Sequence, residues 1–132
     1  MQRGRLMLGL ITGVLLLASS AVHSLLGWPQ FRHGLTEAHA PADLIVGLSL
    51  GWQFAGVAML VFGVIVILLF TDALKGRPVS LRPALTIAIG YLVFGTWALT
   101  VSNLDPFALV FLVPGALLLV AAWGRAGPPP GA

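Results

Sequence analysis

His23, Gln53 and Tyr91 are the most strongly polar side chains inside the long apolar stretches of this sequence. A polar group immersed in hydrocarbon must find a partner, so each is a candidate functional residue by default. Imidazole, amide and phenol together can hold a small amphipathic molecule, such as a quinone or a lipid headgroup. Trp52, Trp97 and Thr100 are expected to complete such an outward-opening pocket. The structural alternative is that Gln53 bonds a neighbouring helix, His23 bonds Ser19, Ser20 or water, and Tyr91 packs. Interhelical bonds of that kind are worth ~0.6–2 kcal/mol.

A second constellation, His33, Glu37 and His39, reads HxxxExH. Imidazole and carboxylate are zinc-type ligands, and His33 and Glu37 would share a face on a helix. Gly34 weakens that helix, and the spacing matches no strong metal motif. The expectation is no metal, with these three as weak candidates only. Haem ligation by paired intramembrane histidines is disfavoured, because only His23 lies in a span. The chain has no cysteine, hence no disulfide, thiol redox centre or iron–sulfur cluster. It carries no serine nucleophile elbow, phosphate loop, HExxH or carboxylate pair, and no acidic residue falls in mid-span. No cofactor and no enzymatic activity are expected.

The elements that position these residues follow from composition. The 132 residues are 58% hydrophobic and 8% charged, with a mean hydropathy of +1.01. Soluble domains carry about 25% charged residues, so the apolar excess must face lipid. Asp43 to Phe70 is uncharged after its first residue. It exceeds the ~20 apolar residues that span a bilayer. The expected fold is all-α: an integral membrane bundle of four transmembrane helices, antiparallel neighbours joined by short loops. It forms one domain over 1–124, with helices at about 5–27, 42–74, 81–101 and 106–123 and a disordered Gly/Pro-rich tail at 125–132.

Several turn signals support these bounds. Pro41 and Asp43 suit a helix start. Gly76 and Pro78 suit a stop, and Asp105 suits an N-cap with Pro106 behind it. The link from Trp28 to Ala42 reads as the only sizeable polar connection, with a short interfacial turn around Phe31 and Leu35. The first helix also resembles a signal peptide in its basic start, but its apolar run continues to Trp28, which favours a retained span.

Small residues mark where helices meet in lipid. Gly9 and Gly13 form a GxxxG pair. On the second helix Ser49, Gln53, Gly56 and Gly63 form one stripe, and Gly47, Gly51, Ala55 and Ala58 form a nearly opposite one. Two stripes imply two neighbours, which makes this the expected central helix. On the third helix Gly90, with Thr86, Trp97 and Thr100, opposes Gly95, with Ala84, Ala88 and Tyr91, so that helix also reads as sandwiched.

Four spans place Arg3, Arg5, Lys75, Arg77, Arg82 and Arg125 on one side and Arg32 alone on the other. Lys and Arg favour the cytoplasm, so both termini are expected there. Contact with anionic lipid accounts for the basic pI, and nucleic acid is not an expected partner. The Arg, Ala, Gly and Leu usage suggests a bacterial inner-membrane protein. The leading functional expectation is a non-enzymatic accessory or self-associating membrane component. Its partners would be the bilayer and either copies of itself or a larger membrane protein. Alternatives are a binder or transporter of a small amphipathic molecule, and a quinone-site subunit of a membrane oxidoreductase.

Overall fold

A computed structural model of the chain describes residues 2–123; the expected tail at 125–132 lies outside them. The described residues are helical and contain no strand. Helix α1 (Gln2–Ala21) runs through a π-helical turn (Val22–Gly27) into α2 (Trp28–Glu37). Helices α3 (Ala42–Leu74), α4 (Arg82–Val101) and α5 (Leu109–Ala122, entered through a 3-10 turn at Pro106–Ala108) follow. Three helical runs, Arg3–Glu37, Ala42–Leu74 and Arg82–Val101, are long and apolar enough to cross a membrane, and Pro106–Ala122 is a shorter apolar helix.

The bundle is organised around α1, not around α3 as the two small-residue stripes suggested. Helix α1 packs along α3 on one side and along α5 on the other, α5 pairs with α4, and α3 barely meets α4. The reason lies in which glycines are covered. A Cβ on Gly9 would collide with the Phe70 ring, one on Gly13 with Ile67, and one on Gly63 with the Leu17 backbone nitrogen at 2.9 Å. The α1–α3 interface is therefore a close approach of backbones, and a bulkier residue at any of these positions would hold the helices apart. Gly56 faces Ser24 and Gly95 faces Leu112, whereas Gly47, Gly51 and Gly90 have nothing within 4 Å. Helices α3 and α4 each use one stripe and leave the other bare.

Helix ends explain the connections. After α2 the Ala40 N–H donates to the Leu35 carbonyl and the His39 N–H to the Thr36 carbonyl, both at 3.0 Å. His39 occupies the left-handed position of this Schellman motif with φ 55°. Gly76 (φ 76°) ends α3 in the same way. Asp105 caps the last helix as expected, its carboxylate accepting from the Phe107 N–H at 2.8 Å. Buried Leu81 anchors the link that carries the chain from α3 across the bundle end to α4. At that same end the Arg5 guanidinium donates to the carbonyls of Val120, at 2.8 and 3.1 Å, and of Trp123. A cation from α1 thus satisfies the orphan carbonyls of α5 at the negative end of its dipole.

Lengths do not match across the bundle. The 33 residues of α3 measure ~50 Å at ~1.5 Å per residue, against ~25 Å for the span Pro106–Ala122. Because Arg5 fixes α5 to the start of α1, the excess emerges at the α2 end. The π turn and α2 contain no buried residue, and the buried residues of α3 all lie from Gly56 to Ala73. The hairpin formed by α2 and the first turns of α3 therefore stands clear of α4 and α5.

The connection expected over residues 28–42 is thus mostly helix. Pro29 does not break it, because the π turn precedes it. The Trp28 N–H reaches back five residues to the His23 carbonyl, widening the backbone just where the proline ring would meet the carbonyl of Leu25. Gly34 lies inside α2 in open space.

Candidate functional site

The π turn brings His23 against Trp52 of α3, and two reciprocal hydrogen bonds join them. The Trp52 indole N–H donates to the His23 carbonyl at 2.8 Å, and His23 Nε2 lies 3.0 Å from the Trp52 carbonyl. A carbonyl only accepts, so Nε2 is the donor in this bond. The two rings stack at 4.5 Å with 6° between planes. Phe31 also stacks on Trp52 at 4.9 Å, and Trp28 approaches the same indole at 6.0 Å. One turn deeper, the buried Ser20 hydroxyl donates to the Gly56 carbonyl at 2.7 Å. Together these contacts form a polar and aromatic latch that registers α1 against α3. π turns of this sort frequently occur at functional positions.

The other residues expected to line an intramembrane pocket fall into separate groups. Gln53 is half-buried and its side chain bonds no described residue. Tyr91 is buried between Phe62 and Phe111, with ring centroids at 6.4 Å from each. Its hydroxyl has no partner among the described residues. Trp97 is exposed and packs on Phe94 at 5.5 Å, while the Thr100 hydroxyl bonds the Trp97 carbonyl of its own helix. Of the six, only His23 and Trp52 meet across two helices. The separation follows from the helix order, since α4 stands across the bundle from the latch.

The metal candidates do not converge. His33 Nε2 lies 3.3 Å from Glu37 Oε1 on exposed α2, but His39 is committed to the helix stop. No group of three metal-ligating side chains forms among the described residues.

Two features were not anticipated from sequence. Arg5 reads as one of several topology-setting cations, and nothing local marks it as a cap for a helix 115 residues away. The aromatic trio Trp28, Phe31 and Trp52 is the second, and the i, i+3 spacing of the first two is its one local signal. A shallow depression of about 330 Å³ opens on α2, lined by Trp28, Pro29, Arg32, His33 and Thr36. Comparison with protein-family models, curated proteins and solved structures finds no match to this chain.

Proposed function

We propose that this chain is a non-enzymatic membrane protein that works by helix association, as a self-associating component or as an accessory subunit. The observation that carries the reading is the bare face of α3. Gly47 and Gly51 form a GxxxG pair with nothing within 4 Å. They share that face with exposed Leu44, Leu48 and Phe54. In lipid, association draws on close backbone packing, which such a face permits and no described helix of this chain supplies. Both termini lie in the cytoplasm of a bacterial cell in this reading, supported by the six-to-one division of basic residues.

Energy transfer between labelled copies in bilayers tests it. The double substitution Gly47→Ile, Gly51→Ile should weaken association with itself or with a co-isolated partner while the monomer stays folded. Undiminished association would refute the reading. Binding or transport of a small amphipathic molecule, including a quinone, has less support, because His23, Gln53 and Tyr91 do not share a cavity wall.

A further inference from the structure

Helix α3 carries a second unpartnered face, and its residues are spaced as a helix-pairing seam. Val46, Leu50, Gln53, Val57, Leu60 and Val64 follow one another at alternating steps of four and three residues. That spacing keeps one line of side chains against a neighbour when two helices wind left-handed around each other. The five apolar members are all exposed, from 40% at Val64 to 70% at Leu50. The line lies roughly 120° around the helix from Gly47 and Gly51, at ~100° per residue. It is therefore a different surface from the glycine face. It is also clear of α1, which covers Gly56 and Gly63.

Gln53 indicates what belongs on this seam. It is the one strongly polar side chain in the charge-free run between Asp43 and Asp72. It is half-buried and bonds no described residue. Leu50 and Val57 flank it on the adjoining turns, so a helix laid on the seam shuts the amide away from water. An uncompensated amide there is costly, and a purely apolar partner would leave it so. A primary amide is both donor and acceptor, so it pairs with a copy of itself. Copies inserted the same way, as the six-to-one division of basic residues favours, run α3 parallel to α3. Around a twofold axis each seam residue then meets its own counterpart. Gln53 faces Gln53 in that register, whereas a slip of one heptad sets it against Leu60 or Val46.

We propose that a second copy of this chain covers the seam, forming a parallel, twofold α3–α3 pair whose register is fixed by the Gln53 amides. The valine and leucine layers supply the packing, and the amide pair selects the alignment. The association read from Gly47 and Gly51 thereby gains a separate face and a definite partner.

Energy transfer between labelled full-length copies in bilayers tests this. Gln53→Leu should weaken pairing by about tenfold, the strength of an amide bond between helices in lipid. The monomer should be unaltered, since the amide bonds nothing described within it. The chain has no cysteine, so a single introduced thiol gives an independent reading. Mild oxidation should link copies through Leu60→Cys much faster than through Val93→Cys, on the exposed face of α4. Undiminished pairing in Gln53→Leu, equal linking at the two cysteines, or no pairing of the unaltered chain would each overturn the proposal. A loss in Gln53→Leu with none in Gly47→Ile, Gly51→Ile would uphold the seam and refute the glycine face, and the reverse result would do the opposite.

Discussion

Replacing Gly63 by alanine tests the claim that α1 and α3 meet backbone to backbone. The added Cβ would lie 2.9 Å from the Leu17 nitrogen, 3.1 Å from the Gly13 carbonyl oxygen and 3.2 Å from the Leu17 Cα. All three are main-chain atoms and cannot rotate aside. Ordinary contact begins near 3.4 Å, so the helices must part by roughly half an ångström along a close-packed seam. That movement loosens the Gly13–Ile67 contact and strains the Ser20–Gly56 hydrogen bond on the next turns. Overpacking of this kind costs ~1–3 kcal/mol. The better helix propensity of alanine returns up to ~1 kcal/mol, which leaves a net loss of about 0–2 kcal/mol when that return is full. Gly51→Ala is the matched control. Nothing lies within 4 Å there, so it should gain up to ~1 kcal/mol. Reversible unfolding in mixed detergent micelles, at concentrations that keep the chain monomeric, reads both. If Gly63→Ala equals or exceeds Gly51→Ala in stability, the seam is not where it is placed here.

Two further substitutions probe the latch and the hairpin tip. Trp52→Phe keeps a ring for His23 and Phe31 to stack on but removes the donor to the His23 carbonyl. It should cost ~0.5–1.5 kcal/mol and speed hydrogen exchange around the π turn, and unaltered exchange there would show that the latch is dispensable. His39→Gly relieves a left-handed backbone at φ 55° and should raise the unfolding midpoint by an amount equivalent to ~1 kcal/mol. A fall instead would mean that the imidazole contributes something beyond the helix stop.

What was legible in the sequence was set by solvent and by local chemistry. Lipid forces continuous apolar helices, so the runs at Ala42–Leu74 and Arg82–Val101 stood out from hydropathy alone. Asp105 could be read as a cap because its partner is two residues away. The order of helices around the bundle was not legible. A stripe of small residues states that a close approach is possible, not that it occurs within the same chain. Gly63 and Gly51 look alike in sequence, yet one lies against the Leu17 backbone and the other against nothing. The difference is one of face: Gly63 lies on the stripe turned to α1 and Gly51 on the nearly opposite stripe, which no described helix covers.

Pro29 shows how far a local rule carries before tertiary contacts override it. A proline inside a helix removes one donor and crowds the carbonyl four residues back, which favours a break. Here the carbonyl of His23 accepts both the five-back Trp28 N–H and the indole of Trp52. The widened turn that accommodates the proline is thus held by a side chain from α3. Without that indole the same residues could end one helix and begin a loop, as their spacing suggests. With it, α1 and α2 run as one continuous rod, and the rod carries Arg32 one turn beyond the aromatic cluster rather than leaving it on a slack connection. The positioning of the exposed cation therefore depends on the latch beneath it. If Trp52→Phe leaves hydrogen exchange along α2 as slow as in the unaltered chain, the rod needs no support from α3.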